Sequence, residues 1–258
     1  MKTPLTYYGG KQKLAQRIIA MMPKHRIYCE PFFGGGAVFF AKPPAEVEVI
    51  NDSNGELINF YRVLKTNFHK LQKEIRCTLH SKESHQLAEV VFRYPQLFNE
   101  VKRAWAVWTL ANQSFSSMLG GTWRCDFDSN STAKRLDNKR NNFTEEYAKR
   151  LEQTQIENRD ALKVIKIWDN KDAFFYCDPP YFNSNMGHYK GYTEQDFENL
   201  LQTLSEIKGK FILSSYPSEL LDKYTKKHKW NTVKIEGIPV SVSLGKHKVK
   251  TEVLTGNY

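Results

Sequence analysis

Apolar residues change their period several times along the chain, and the changes mark out the elements. Leu14, Ile18, Met21 and Met22 recur at helical spacing, and Pro23 closes that helix. Ile27 to Glu30 reads as a short buried strand that enters Pro31-Phe32-Phe33-Gly34-Gly35-Gly36. Ala37 to Ala41 resumes as a helix. Val47, Val49 and Ile50 predict a second strand, ending at Asn51-Asp52-Ser53-Asn54. Leu57, Ile58, Tyr61 and Leu64 mark the buried face of the next helix. Strand, glycine turn, helix, strand, acidic residue, helix predicts an open α/β unit with a parallel sheet.

From about Thr66 to Gln153 the alternation stops. The stretch is rich in aromatic, amide and basic residues, among them Trp105, Trp108, Phe115, Trp123 and Phe143, and carries Gly120-Gly121 and the run Lys134 to Arg140. It reads as an inserted, mostly helical subdomain with an irregular loop, so that 1–65 and 154–258 form one domain around an insert at 66–153. Alternation returns at Ile156. Phe174 to Cys177 is a short apolar strand before Asp178-Pro179-Pro180-Tyr181. Thr193 with Asp196 forms a capping-box pattern opening a helix through Ile207. Phe211 to Leu213 is a further strand, and Trp230 to Leu254 reads as two or three strands with a turn at Gly245.

Composition narrows the classes. With 258 residues and 40% hydrophobic content the chain can bury a full core, which excludes global disorder. No run approaches the roughly 20 apolar residues of a membrane span, and the opening MKTPLTYYGGK lacks the apolar stretch of a secretory signal. Cys29, Cys77, Cys125 and Cys177 show neither metal-ligand nor redox spacing, and no metal site is expected. A reduced, cytoplasmic compartment follows. Lys and Arg number 38 against 28 Asp and Glu, a net charge of +10 that favours a polyanionic partner. The bias is steepest between Lys223 and Lys250, which hold eight lysines, two histidines and one glutamate.

Three constellations carry chemistry. Glycines after the first strand would let a ligand approach the backbone at the edge where open α/β sheets bind ligands, although a plain tight turn uses them as well. Phe39 stands where a dinucleotide fingerprint needs its third glycine, and the loop lacks the Lys-Ser/Thr ending of a phosphate loop. Asp52 can accept from both hydroxyls of a ribose. It, or Ser53, also reads as a helix N-cap, the plainer role on position alone. In Asp178-Pro179-Pro180-Tyr181 the prolines stiffen the turn and remove two backbone donors, leaving carbonyls beside a carboxylate. Acceptors without donors suit an amino group whose lone pair must point elsewhere, and Tyr181 offers a flat face for a planar base.

Taken in order, Tyr7-Tyr8-Gly9-Gly10-Lys11, Glu30-Pro-Phe-Phe-Gly-Gly-Gly36, Asn51-Asp52-Ser-Asn54, an insert, then Asp178-Pro-Pro-Tyr181 resembles the Dam-type adenine-specific DNA methyltransferases of the alpha motif order. Gly191-Tyr-Thr193, Gly209 to Ser215 and Thr251 to Asn257 also resemble that family; the likeness covers nearly the whole chain and fades over 66–153. It implies a Rossmann-like methyltransferase sheet of about seven strands, the last pair antiparallel, with target recognition in the insert. It implies S-adenosyl-L-methionine as methyl donor, double-stranded DNA as partner and the exocyclic N6 of a flipped-out adenine as target. It implies no metal and no membrane, and leaves open a partner restriction endonuclease; a monomer is the expected state.

Residue by residue, the resemblance implies that Tyr7, where the family usually has Trp, and Lys11 contact the donor. It makes Phe32, Gly34 and Gly36 the cofactor loop and gives Asp52 the ribose. Asp160 would lie near the donor's adenine, and Asp178 would serve both donor and target. Related enzymes acting on cytosine usually show Ser at the first position of the tetrapeptide, so Asp178 favours adenine. Arg124, Lys134, Arg135, Lys139, Arg140 and the tail lysines Lys246, Lys248 and Lys250 are the expected DNA contacts. His188 and His247 read as surface or DNA contacts rather than bases. A catalytically silent DNA-binding module and a dinucleotide oxidoreductase are the competing classes. The intact tetrapeptide disfavours the first and the missing third glycine disfavours the second.

Overall fold

The computed structural model describes residues 1–183, 191–240 and 248–258; for 238–240 and 248–250 it describes the backbone only. Four parallel strands, β1 (Ile27–Glu30), β2 (Val47–Asn51), β4 (Ala173–Cys177) and β5 (Lys210–Ser215), form the middle of a sheet with β3 (Thr154–Glu157), β6 (Asn231–Val240) and β7 (Lys248–Gly256). The seven strands run in the order β3-β2-β1-β4-β5-β7-β6. β7 is antiparallel to both β5 and β6, so the sheet is mostly parallel with a reversed pair at one edge. The order turns back on itself at β1, which has β2 on one side and β4 on the other. The crevice beyond the carboxyl ends of strands at such a reversal is where open α/β sheets bind ligands.

β4 explains why the centre holds. All five residues of its Ala-Phe-Phe-Tyr-Cys sequence are buried, as a central parallel strand requires. Cys29, Phe175, Cys177, Leu213 and Val253 share one face of the sheet and pack with Phe197, Leu200 and Leu204 of α10 (Glu194–Glu206). The opposite face carries alternate residues of the same strands. The capping box that opens α10 is present: Thr193 Oγ1 accepts from the Asp196 amide at 3.2 Å, and Asp196 Oδ2 accepts from the Thr193 amide at 2.8 Å. Thr193→Ala is expected to cost about 1 kcal/mol of stability, read as a lower urea midpoint at an unchanged slope.

The chain divides into two compact units. One comprises Met1–Ile19, Gly34–Pro43 and Asn54–Asn158; the other comprises Ala20–Phe33, Pro44–Ser53 and Arg159–Tyr258. The second contains every strand but β3. In the first, the stretch between Thr66 and Gln153 holds α4 (Phe68–Arg76), α5 (Lys82–Arg93), α6 (Glu100–Gln113), α7 (Ser131–Asn141) and α8 (Glu146–Leu151), with two 3-10 turns and one isolated bridge, Ser114 to Trp123. α6 is its hub. Asn99 caps it, and Trp105, Val107, Trp108 and Leu110 are buried on more than one face. Arg103 on α6 pairs with Glu56 of α3 (Gly55–Thr66) at 2.9 Å.

Among the described residues the C-terminal strands are two, β6 and β7, and the expected Gly245 turn lies outside the described residues. No described helix is long and apolar enough to cross a membrane.

Candidate active site

Asp178 follows β4 directly, and the register of the sheet fixes its surroundings. Cys177 pairs with Leu213, and Ser215 pairs with Val253. Cys177 and Val253 both face the apolar core, so alternation turns Asp178 and Glu252 to the other face. That face is polar at the carboxyl end of the strands. Tyr28 donates to Glu30, and Tyr176 Oη and Ser214 Oγ are 3.0 Å apart. Tyr181 Oη donates to Glu252 Oε1 at 2.5 Å and lies 3.1 Å from Asp178 Oδ1. Three tyrosines and three carboxylates thus gather toward the carboxyl ends of β1, β4 and β5, with Glu252 contributed from the middle of the antiparallel β7.

Burial, with the nearby carboxylates next in weight, holds the Tyr28, Tyr176 and Tyr181 hydroxyls well above the ordinary phenol range. All three therefore stay protonated, and Tyr28 and Tyr181 donate to carboxylates. The Cys177 thiol is likewise pushed up by burial and by Asp178, so it is no nucleophile. The Tyr181 ring packs edge-on against Tyr216, with centroids 4.4 Å apart. Pro180, Tyr181, Phe197, Ser215 and Tyr216 line a narrow gap, and the buried Ser215 Oγ has no hydrogen-bond partner among the described residues.

In the same unit, Asn51 ends β2 and is wholly buried. Its Nδ2 donates to the carbonyls of Pro31 at 2.9 Å and Arg159 at 3.1 Å, and its Oδ1 accepts from the Arg159 amide at 2.9 Å. One side chain thereby ties the loop after β1 to the segment before α9 (Ala161–Trp168). Phe32 packs partly buried against the apolar core, and Asp52 is half-buried. Asp52 and Ser53 are not the cap of α3. Asn54 is, accepting from the Glu56 and Leu57 amides at 3.1 and 3.2 Å. The capping role that competed for Asp52 in the sequence is therefore filled by its neighbour. Asp160, by contrast, caps α9 through Lys163 N at 3.0 Å and is exposed.

The other unit holds Tyr7, Lys11, Gly34 and Gly36. Gly34 and Gly36 have φ of +50° and +65°, a region that favours glycine. A Cβ at Gly34 would stand 3.2 Å from the Tyr7 ring, so this glycine also admits an aromatic packed on the loop. The Gly34 carbonyl accepts from Tyr61 Oη at 2.9 Å. Lys11 is buried, and its Nζ donates to the Gly9 carbonyl at 3.0 Å.

The basic residues of the helical stretch differ in their commitments. Arg140 is tied to the Thr78 carbonyl at 2.7 Å and to Asp137 at 2.8 Å. Lys139 is half-buried, and desolvation lowers its ammonium's pKa. Lys134 and Arg135 are exposed. Desolvation first, then the nearby Arg124 charge, lowers Arg135, the pattern of clustered cations. Asp126 beside them is held at about 2, chiefly by the Thr132 hydroxyl and amide at the start of α7. Lys248 and Lys250 lie on β7, their side chains undescribed, while Lys246, His188 and His247 lie outside the described residues. Among the described residues no cluster of His, Cys, Asp or Glu could hold a metal ion.

The model of D12 class N6 adenine-specific DNA methyltransferases matches residues 7–238. The chain belongs to this family. Over 97% of its length it is 29% identical to the type II methyltransferase M1.LlaDCHI of Lactococcus lactis subsp. cremoris, covering 93% of that protein. It is 26% identical to the type II methyltransferase M.MjaIII of Methanocaldococcus jannaschii, over 77% of this chain and 76% of that one. A 62-residue stretch is 42% identical to a DNA adenine methylase of Vibrio cholerae, over 24% of this chain and 22% of that one. Membership implies S-adenosyl-L-methionine as donor and DNA as substrate, and the mixed α/β sheet with its antiparallel edge agrees with a Rossmann-like methyltransferase fold.

The carboxylate at Asp178 was visible in the sequence as part of a tetrapeptide. The Tyr181–Glu252 contact and the Asn51 clamp were not. An acidic residue in strand β7, between Thr251 and the apolar pair Val253-Leu254, was the available signal for the first.

Proposed function

We propose that this protein transfers the methyl group of S-adenosyl-L-methionine to N6 of an adenine flipped out of double-stranded DNA, at a specific sequence. The observation that carries the reading is Asp178, standing with the Pro179 carbonyl at the end of the buried strand β4, beside the reversal of strand order. The amino group of adenine is a poor nucleophile because its lone pair is delocalised into the ring. Two acceptors would take both its hydrogens and favour a tetrahedral nitrogen with its lone pair directed at the methyl. The Tyr181 ring, fixed by Tyr216 and by its hydroxyl, is suited to stacking on the extruded base, a contact of roughly 1–3 kcal/mol. Neither a covalent nucleophile nor a metal is required.

The donor set fits the cofactor: Asp52, a carboxylate directly after β2, has the chemistry to accept from the ribose hydroxyls. When bound, S-adenosyl-L-methionine supplies an electrophilic methyl on a sulfonium. Tyr7, Lys11, Phe32, Gly34, Gly36 and Asp178 are the further residues assigned to hold it. Asp160 is assigned with them on the resemblance, although its carboxylate already caps a helix.

Residues 66–153 are proposed to read the target, with Arg124 choosing sequence. Lys134, Arg135, Lys139, Arg140, Lys246, Lys248 and Lys250 would contact phosphates. A cytoplasmic monomer fits this reading. A cognate restriction endonuclease would fit the type II names of two relatives. Tritium transfer from labelled donor to duplex DNA, followed by digestion to nucleosides, tests the reaction; methylcytosine as product overturns it. Single-molecule sequencing of DNA from expressing cells gives the site. Replacing Lys134 by alanine is expected to weaken binding evenly across sequences and to lower the slope of log affinity against log salt by about one. An unchanged slope would make it a solvated residue.

A further inference from the structure

We propose that His80 and His85 are positioning residues for target reading: they grip the exit and the entry of the loop between Ser114 and Arg124 and so fix the backbone that presents Arg124 to DNA. The inference rests on the reading of Arg124 as the residue that chooses sequence.

All of these groups lie in one compact unit. The loop leaves α6 at Ser114 and returns beside its own start. Ser114 and Trp123 form an isolated antiparallel bridge, the Phe115 amide donates to the Thr122 carbonyl at 2.7 Å, and the Arg124 amide donates to the Gln113 carbonyl at 2.9 Å. Inside the loop Ser116 and Ser117 have φ of +55° and +59°. Left-handed residues other than glycine persist only where their surroundings over-determine them. The two histidines supply part of that hold from outside the loop. His85, buried on α5, places Nε2 2.9 Å from the Oγ of the buried Ser114. Desolvation lowers its pKa, a fall only partly offset by Glu89 and the Gly121 carbonyl, so at neutral pH the ring holds Ser114 without burying a charge. His80 Nε2 donates to the Arg124 carbonyl at 3.0 Å, and its ring lies against Trp123 with centroids 5.4 Å apart. The main chain of Arg124 is thus held at both polar groups, by Gln113 at the amide and by His80 at the carbonyl. Gln113 is itself tied to the residue before His80, its Nε2 donating to the Leu79 carbonyl at 2.9 Å. A long side chain reads a base edge reliably only when the backbone that carries it is locked.

The test compares kcat/KM on the cognate duplex, once sequencing has defined it, with kcat/KM on duplexes changed at one base pair. Arg124→Ala comes first: if it keeps the wild-type preference, the parent reading ends, whatever the histidines do. With Arg124 established, His80→Phe keeps a ring against Trp123 and removes the donor. It is expected to lower the cognate preference about tenfold, the scale of one lost hydrogen bond, chiefly through a raised KM for the cognate duplex. Ser114→Ala removes the partner of His85 at the other end of the loop and is expected to lower the preference in the same way. A role in folding alone predicts a lower urea midpoint with the wild-type preference, and that preference in either folded variant overturns the proposal. So does a loss confined to kcat. If His80→Phe does not fold, Ser114→Ala decides on the same ratio.

Discussion

Asp178→Ala is expected to abolish methyl transfer to adenine while leaving duplex binding largely intact. Losing one positioned electrostatic partner typically costs on the order of 100-fold or more in rate. Here the loss is compounded, because the remaining Pro179 carbonyl can accept only one of the two amino hydrogens. The carboxylate sits at the end of a fully buried strand and is reached by the Tyr181 hydroxyl. Phosphate contacts supply most of the affinity of such enzymes for DNA, and the exposed Lys134 and Arg135 lie on α7, in the other compact unit. Donor binding is expected to weaken moderately. The measurement is labelled-methyl incorporation beside a gel-shift titration. Full activity in the variant would remove Asp178 from the mechanism, and loss of duplex binding in parallel with rate would make the residue structural.

The same tetrapeptide shows how much of the molecule the sequence disclosed. Strands β1, β2, β4 and β5 were legible because a buried parallel strand is a short unbroken apolar run. The glycine turn and the capping box were legible because each needs particular residues at fixed offsets. Side-chain partners across strands were not legible, because they depend on register, and register is set by pairings far apart in sequence. Glu252 meets Tyr181 across 71 positions, and Asn51 meets Arg159 across 108. The cap of α3 shows a smaller version of the difficulty. Asp52, Ser53 and Asn54 are all good caps, and only the backbone decides that Asn54 takes the position. Arg140 was read as a DNA contact from its place in a basic run. The sequence does not disclose that its guanidinium also bonds the Thr78 carbonyl and the Asp137 carboxylate within its own unit.

Asn51→Ala is expected to be among the most damaging single changes away from Asp178. Its side chain satisfies two carbonyls and one amide, and no alanine atom can replace any of them. A buried polar group left without a partner costs about 1–3 kcal/mol. With the Arg159 groups only partly buried, the sum is roughly 2–4 kcal/mol, enough to lower the urea midpoint clearly. Function should suffer where the clamp acts: the loop after β1 and the residues beside Asp52 would lose their fixed spacing, so donor affinity falls more than the rate at saturation. Asn51→Asp separates the hydrogen bonds from the packing. It keeps the acceptor for the Arg159 amide but sets a buried carboxylate against two carbonyls, which raises its pKa in the folded state. A carboxyl whose folded pKa is raised destabilises above its unfolded value of about 3.9 and not below it. The gap in stability between this variant and the parent should therefore narrow as pH falls toward 4 and widen toward 7. A pH-independent gap would show that the side chain's shape, and not its two donor hydrogens, is what the turn requires.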